Sequence, residues 1–116
     1  MSYRDLQVWQ KSMDLAVEIY ALTKHMPPSE NYGLTSQMQR ASVSIASNIA
    51  EGHGRSNDNE MVRFLSIANG SRTELQTQLL LCERIGYLTR EQTRFALKLT
   101  EEIGKMIYAL QQALKR

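Results

Sequence analysis

The 116-residue sequence predicts an all-α fold, an antiparallel up-down-up-down four-helix bundle forming a single domain over residues 1–116. Three observations lead there. Apolar residues recur at spacings of three and four through most of the chain, the period of a helix with one buried face. Only two prolines occur, adjacent at positions 27 and 28, so long segments run uninterrupted on either side. Segments of about 20–28 residues with short connections would span roughly 30–42 Å at ~1.5 Å per residue, the proportions of a bundle.

The first segment runs from about Asp5 to His25. Leu6, Trp9, Met13, Ala16 and Tyr20 make its predicted seam, with Val8, Leu15, Ile19 and Leu22 as a second stripe beside it. A face this wide suits a helix touching two neighbours. Pro27-Pro28 then stops the helix, because neither ring can donate an intrahelical bond. The second segment starts near Ser29 or Asn31 and reaches Gly52, with Leu34, Met38, Ala41, Ile45 and Asn48 along its seam. The alternation Ser42-Val43-Ser44-Ile45 also fits a strand, but the helical seam accounts for far more of the segment. Gly52 or Gly54 is expected to adopt the left-handed conformation and reverse the chain.

In the third segment Asn57 precedes Glu60 at capping-box spacing, and Gly86 is the expected stop. Its seam is Met61, Leu65, Ala68, Arg72, Leu75, Leu79 and Cys82, beside a stripe of Phe64, Ile67, Ser71 and Leu81. The fourth segment opens on a Thr89–Gln92 capping box and carries Ala96, Leu99, Ile103, Met106, Leu110 and Ala113 on its seam. Lys115-Arg116 suit the negative end of its dipole.

Composition narrows the function. Apolar residues make up 42% and charged residues 22%, an ordinary globular balance. The net charge of +2, from 14 basic and 12 acidic side chains, is below that of a dedicated nucleic-acid-binding domain. Nucleic acid would have to meet a local cluster, or an oligomer that pools several patches. Cys82, the one cysteine, can form no internal disulfide and reads as a core residue. His25 and His53 have no partner at ligand spacing, so neither a metal nor a cofactor is expected. No Gly-x-Ser-x-Gly elbow is present, no catalytic residue stands out, and the chain reads as a non-enzyme. Gly52-His53-Gly54-Arg55 precedes a helix, yet lacks the spacing of known phosphate loops. The amino terminus shows no basic-then-apolar signal and no apolar run approaches the ~20 residues of a membrane span, so the expected place is the cytoplasm, away from membranes.

Two basic groups are the candidate nucleic-acid contacts. Arg40, Arg55 and Arg63 are assigned to the turn between the second and third segments; Arg84, Arg90, Arg94 and Lys98 flank the next one. Arg90, Arg94 and Lys98 follow at intervals of four and share a helical face. A turn centred near Arg55 would set Glu51 opposite Asn59, Asn48 opposite Val62, and Arg72 and Glu74 beside Met38 to Arg40. Arg72, on a seam, needs a charged or carbonyl partner or must face another subunit, which hints at a homo-oligomer.

The run Ser47-Asn48-Ile49-Ala50-Glu51-Gly52, together with Phe64 to Ser71 (including Gly70), Glu74 to Leu79 and the start Tyr3-Arg4-Asp5-Leu6-Gln7-Val8-Trp9, resembles the bacterial four-helix-bundle family encoded in intervening sequences of 23S rRNA genes. The resemblance covers essentially the whole chain. Relatives of that family include accessory proteins of diversity-generating retroelements, homopentameric barrels that bind nucleic acid and a reverse transcriptase. It therefore implies a homopentamer, with RNA or a nucleoprotein as partner and Ser47 to Gly52, Gly70, Ser71 and Glu74 serving as signature and packing residues. Two positions depart from the pattern. Ala46 replaces a usual proline, which should leave the second helix straighter. Asn57-Asp58-Asn59-Glu60 replaces basic residues after the glycine turn, which lowers phosphate affinity there.

Overall fold

A computed structural model describes residues 1–115. Four α-helices follow one another: α1 (Gln7–Leu22), α2 (Leu34–Gly54), α3 (Asp58–Ile85) and α4 (Arg90–Leu114). Short 3-10 turns at Tyr3–Asp5, Thr23–His25 and Pro28–Glu30 complete the described structure. The helix ends follow the chemistry of their residues. The Asn57 side chain accepts from the Glu60 amide, Thr89 and Gln92 form a reciprocal capping box, and Gly86 ends α3 at φ 96°.

Each helix packs on its chain neighbours, and α1 closes the ring onto α4. Position numbers rise along one helix as they fall along the next. Along α2 and α3, Gln37 meets Gln78, the Ser44 and Ser71 hydroxyls lie 2.9 Å apart, and Gly52 faces Phe64. Along α3 and α4, Gln111 reaches Ser66, Gln76 reaches Thr100, and Thr93 donates to Glu83. Lys11 of α1 pairs with Glu102 of α4 at 3.1 Å, while Leu6 and Leu110 line one groove nearer the end. Successive helices therefore alternate in direction within a body of 44 × 22 × 20 Å.

The core is aliphatic. Leu15, Ile19, Met38, Ile45, Ile49, Leu65, Leu75, Leu79, Ile103 and Ile107 are fully buried, each contributing about 1.5–3 kcal/mol through area removed from water. Cys82 sits among them, its sulfur 3.9 Å from those of both Met26 and Met38. Burial pushes its thiol pKa up.

Three expectations need correction. In α1 the second stripe is the core: Val8, Leu15, Ile19 and Leu22 are buried, whereas Met13, Val17 and Tyr20 are 41%, 70% and 47% exposed. Two neighbours, α2 and α4, cover only one side of this helix: of the predicted seam, Leu6 and Trp9 pack at the edge of the core and Ala16 is half-buried, while Met13 and Tyr20 are left outside. Neither Gly52 nor Gly54 turns left-handed, because α2 runs through both; Ser56 takes φ 54° and the reversal follows it. Gly52 is needed for a close approach instead: a Cβ there would stand 2.6 Å from Phe64 Cβ and 3.0 Å from Met61 Sδ. The later turn also shifts the register, so Asn48 and Glu51 do not stand opposite Val62 and Asn59.

Candidate nucleic-acid interface

Of the first basic group only Arg55 and Arg63 lie together, at the end of the bundle opposite the α3–α4 turn of the second group. The first end holds the α2–α3 turn, with the chain's start and the end of α4 beside it. Here Arg55 donates to Glu51 at 3.1 Å and Arg63 to Glu60 at 2.8 Å. Their guanidinium carbons stand 5.2 Å and 4.6 Å from the centre of the buried Phe64 ring. Both cations already have an anion and an aromatic face. The Arg63 hydrogen bond and charge hold the Glu60 carboxyl below its ordinary range. A crevice of about 330 Å³ opens nearby, with Leu6, Met61, Leu110 and Leu114 beneath His53, Asn57 and Asp58.

Arg40 does not belong to that turn. It lies fifteen positions before Arg55 on the same helix, ~22 Å away along the axis. It lines a shallow depression between α2 and α3 with Gln37, Ala41, Ser44, Ser71 and Glu74. Glu74 there accepts from the buried Gln78 amide at 3.1 Å. Asn48 donates to the Ser44 carbonyl and hydroxyl, joining Ser71 through Ser44. Of the remaining signature residues, Ile49 is in the core, Ala50 is half-buried, and Ser47 and Gly70 are exposed. This set forms a packing seam with a polar rim.

Arg72 has its partners inside the chain. Its Nε donates to Asn69 at 2.8 Å and a terminal nitrogen donates to the Thr100 carbonyl at 3.2 Å. The guanidinium lies over Gly104, where a Cβ would stand 2.7 Å from its carbon. The carbonyl alternative is the one realised, and Arg72 gives no argument for another subunit.

The second end holds the α3–α4 turn and the α1–α2 connection, tied together by Tyr87 donating to Glu30 at 3.0 Å. Arg84 ends α3, and Arg90, Arg94 and Lys98 climb the outer face of α4, all four exposed. Among the described residues the ion pairs are Lys11–Glu102, Arg55–Glu51 and Arg63–Glu60, so none of these four cations has a carboxylate partner. Glu83, the nearest acid on α3, instead accepts the Thr93 hydroxyl at 2.6 Å. The amino-terminal end of α4 adds its positive dipole to Arg90 and Arg94. The result is an exposed cationic patch without carboxylate partners among the described residues, the kind of surface that phosphate oxygens meet.

Sequence reading passed over three further residues of the same surface. Lys105 is exposed, and Phe95 and Tyr108 are 53% and 65% exposed. The available signal was their place off the predicted seam. Among the described residues no His, Cys, Asp and Glu cluster could hold a metal, and no helix is long and apolar enough to cross a membrane.

The model of the 23S rRNA-intervening sequence protein family matches residues 4–109. The chain is also similar to a solved structure from Bacteroides thetaiotaomicron VPI-5482, a protein of unknown function from the S23 ribosomal protein family. Identity is 28%, the TM-score is 0.83, and the match covers 90% of this chain and 97% of that one. No curated protein matches the chain.

Proposed function

Because the chain belongs to the 23S rRNA-intervening sequence protein family, we propose that it is a non-enzymatic, oligomeric binding module that associates with rRNA or another nucleic acid in the cytoplasm. One observation carries this reading: Arg84, Arg90, Arg94 and Lys98 stand together at one end without carboxylate partners, while the arginines at the other end are neutralised. Free cations release phosphate counterions on binding; paired ones gain little. Assembly into a homo-oligomer, a pentamer as the resemblance implies, would repeat the patch and raise avidity. The exposed Met13, Val17 and Tyr20 of α1 supply apolar surface for such packing.

The test is binding of 23S-derived RNA across a salt series. Affinity should fall steeply with salt, and replacing Arg90, Arg94 and Lys98 with alanine should flatten that fall. Absence of binding at low salt would overturn the nucleic-acid reading and favour the second one, a protein-interaction scaffold, to which the apolar α1 stripe also points. Sedimentation of the intact protein tests the assembly, and a clean monomer would sink both the pentamer and the avidity argument.

A further inference from the structure

The outer face of α4 carries more than charge. At about 100° per residue, Arg90, Arg94, Lys98, Lys105 and Tyr108 fall within an arc of roughly 80°. Phe95 borders this arc on the side of α1, where Glu102 meets Lys11. Tyr108 borders it on the side of α3. There Tyr108, Lys105, Glu101 and Arg72 surround Gly104 in a depression of about 280 Å³. Gly104 contributes no side chain, so the Arg72 guanidinium forms part of the floor of this depression. Two acids, Glu91 and Glu101, share the face; Glu101 accepts from Gln76 at 2.8 Å.

An exposed phenyl ring and an exposed phenol ring thus flank the row of cations on its two sides, Phe95 beside Arg94 and Lys98 and Tyr108 one turn beyond Lys105. A duplex has its bases stacked inside, so it could use the cations but not the rings. An unpaired strand can use both, with phosphates on the cations and bases on the ring faces. Phe95 and Tyr108 are thirteen positions apart, ~20 Å along the helix axis, enough for a strand of several nucleotides. We infer that the outer face of α4 binds single-stranded nucleic acid, with Lys98 and Lys105 holding phosphates and Phe95 and Tyr108 stacking bases. The inference rests on the nucleic-acid reading above and adds to it the strandedness of the ligand and the residues that sense it.

Fluorescence anisotropy with a labelled 12-nucleotide single-stranded RNA, the same RNA annealed to its complement, and a matching single-stranded DNA provides the test. The single strands should bind more tightly than the duplex at low salt. Phe95→Ala and Tyr108→Ala should each weaken single-strand binding about tenfold while leaving the salt slope and duplex binding unchanged. Both side chains are exposed, and circular dichroism verifies that the variants stay folded. If the duplex binds as tightly and neither variant alters affinity, the single-strand inference falls while the charge-based reading survives. If neither RNA form binds, both fall. If the variants change the sedimentation coefficient and not RNA affinity, the face is a protein interface and the inference is overturned.

Discussion

The two ends of the bundle use arginine in opposite ways. At the α2–α3 end, Glu51 precedes Arg55 by four residues and Glu60 precedes Arg63 by three, so each cation finds its anion on its own helix. Phe64 between them covers both guanidinium groups with one ring. At the α3–α4 end, Arg90, Arg94 and Lys98 follow one another at the same interval, and like charges line up where opposite charges would have cancelled. The same spacing closes the surface in one place and leaves it open in the other. Arg94 and Lys98 also have acids one turn away, Glu91, Glu101 and Glu102, but Glu101 accepts from Gln76 and Glu102 pairs with Lys11, so the α4 cations stay without carboxylate partners among the described residues.

The largest expected effect comes from breaking the packing of the closed end. Gly52→Val forces a side chain against Phe64 and Met61 and should lower stability by about 3 kcal/mol in urea unfolding. Gly54, two positions on, has nothing within 4 Å of a Cβ. Gly54→Ala should therefore stabilise the fold, by up to about 1 kcal/mol. Equal behaviour of the two variants would mean that α2 and α3 do not approach this closely.

Next in size is the charge contrast. Removing Arg90, Arg94 and Lys98 together should weaken single-stranded RNA binding more than tenfold at low salt and reduce the log–log salt slope by about 2. Removing Arg55 and Arg63 together should change affinity by less than about twofold, because those cations are already neutralised. Equal losses would erase the distinction between the ends.

A third comparison concerns the helix starts. Asn57 makes a one-way cap, and Glu60 spends its carboxylate on Arg63, whereas the Thr89 cap is reciprocal. Asn57→Ala should cost about 1 kcal/mol and Thr89→Ala somewhat more, measured by thermal unfolding. The reverse order would indicate that the Gln92 side chain adds nothing.

The smallest effect is protonic. Glu60 titrates below its ordinary value of 4.5, first because of the Arg63 hydrogen bond. Its contribution to stability is therefore present above the unfolded value and is lost as pH falls through the lower folded one. Arg63→Ala should return the Glu60 titration, followed by carboxyl NMR, to the ordinary range.

Sequence reading located the helices and their caps well because those depend on neighbours a few residues away. Asn57, Gly86 and Thr89 do what their local chemistry demands, and of the predicted α3 seam Met61, Leu65, Ala68, Leu75, Leu79 and Cys82 are buried as the period predicts, while Arg72 is only half-buried. It drew the buried face of α1 too wide, because two apolar stripes have the same period and only the placement of α2 and α4 buries Leu15 and Ile19 while leaving Met13 and Tyr20 outside. It misread Gly52 for a similar reason. A glycine that turns a chain and a glycine that lets two helices touch look identical until Phe64 is placed against it. Strong local signals survived; choices between equal periodicities required the partner helix.

The sulfur cluster at the other end of the core has a practical consequence. Cys82 is the one thiol in the chain, is fully buried against Met26 and Met38, and has its ionisation disfavoured by burial. An alkylating reagent can reach it only when the bundle opens. Its modification rate is therefore a built-in clock for the breathing of α2, α3 and the Met26 connection. Adding RNA while that clock runs would reveal whether an occupied α4 face steadies the core beneath it.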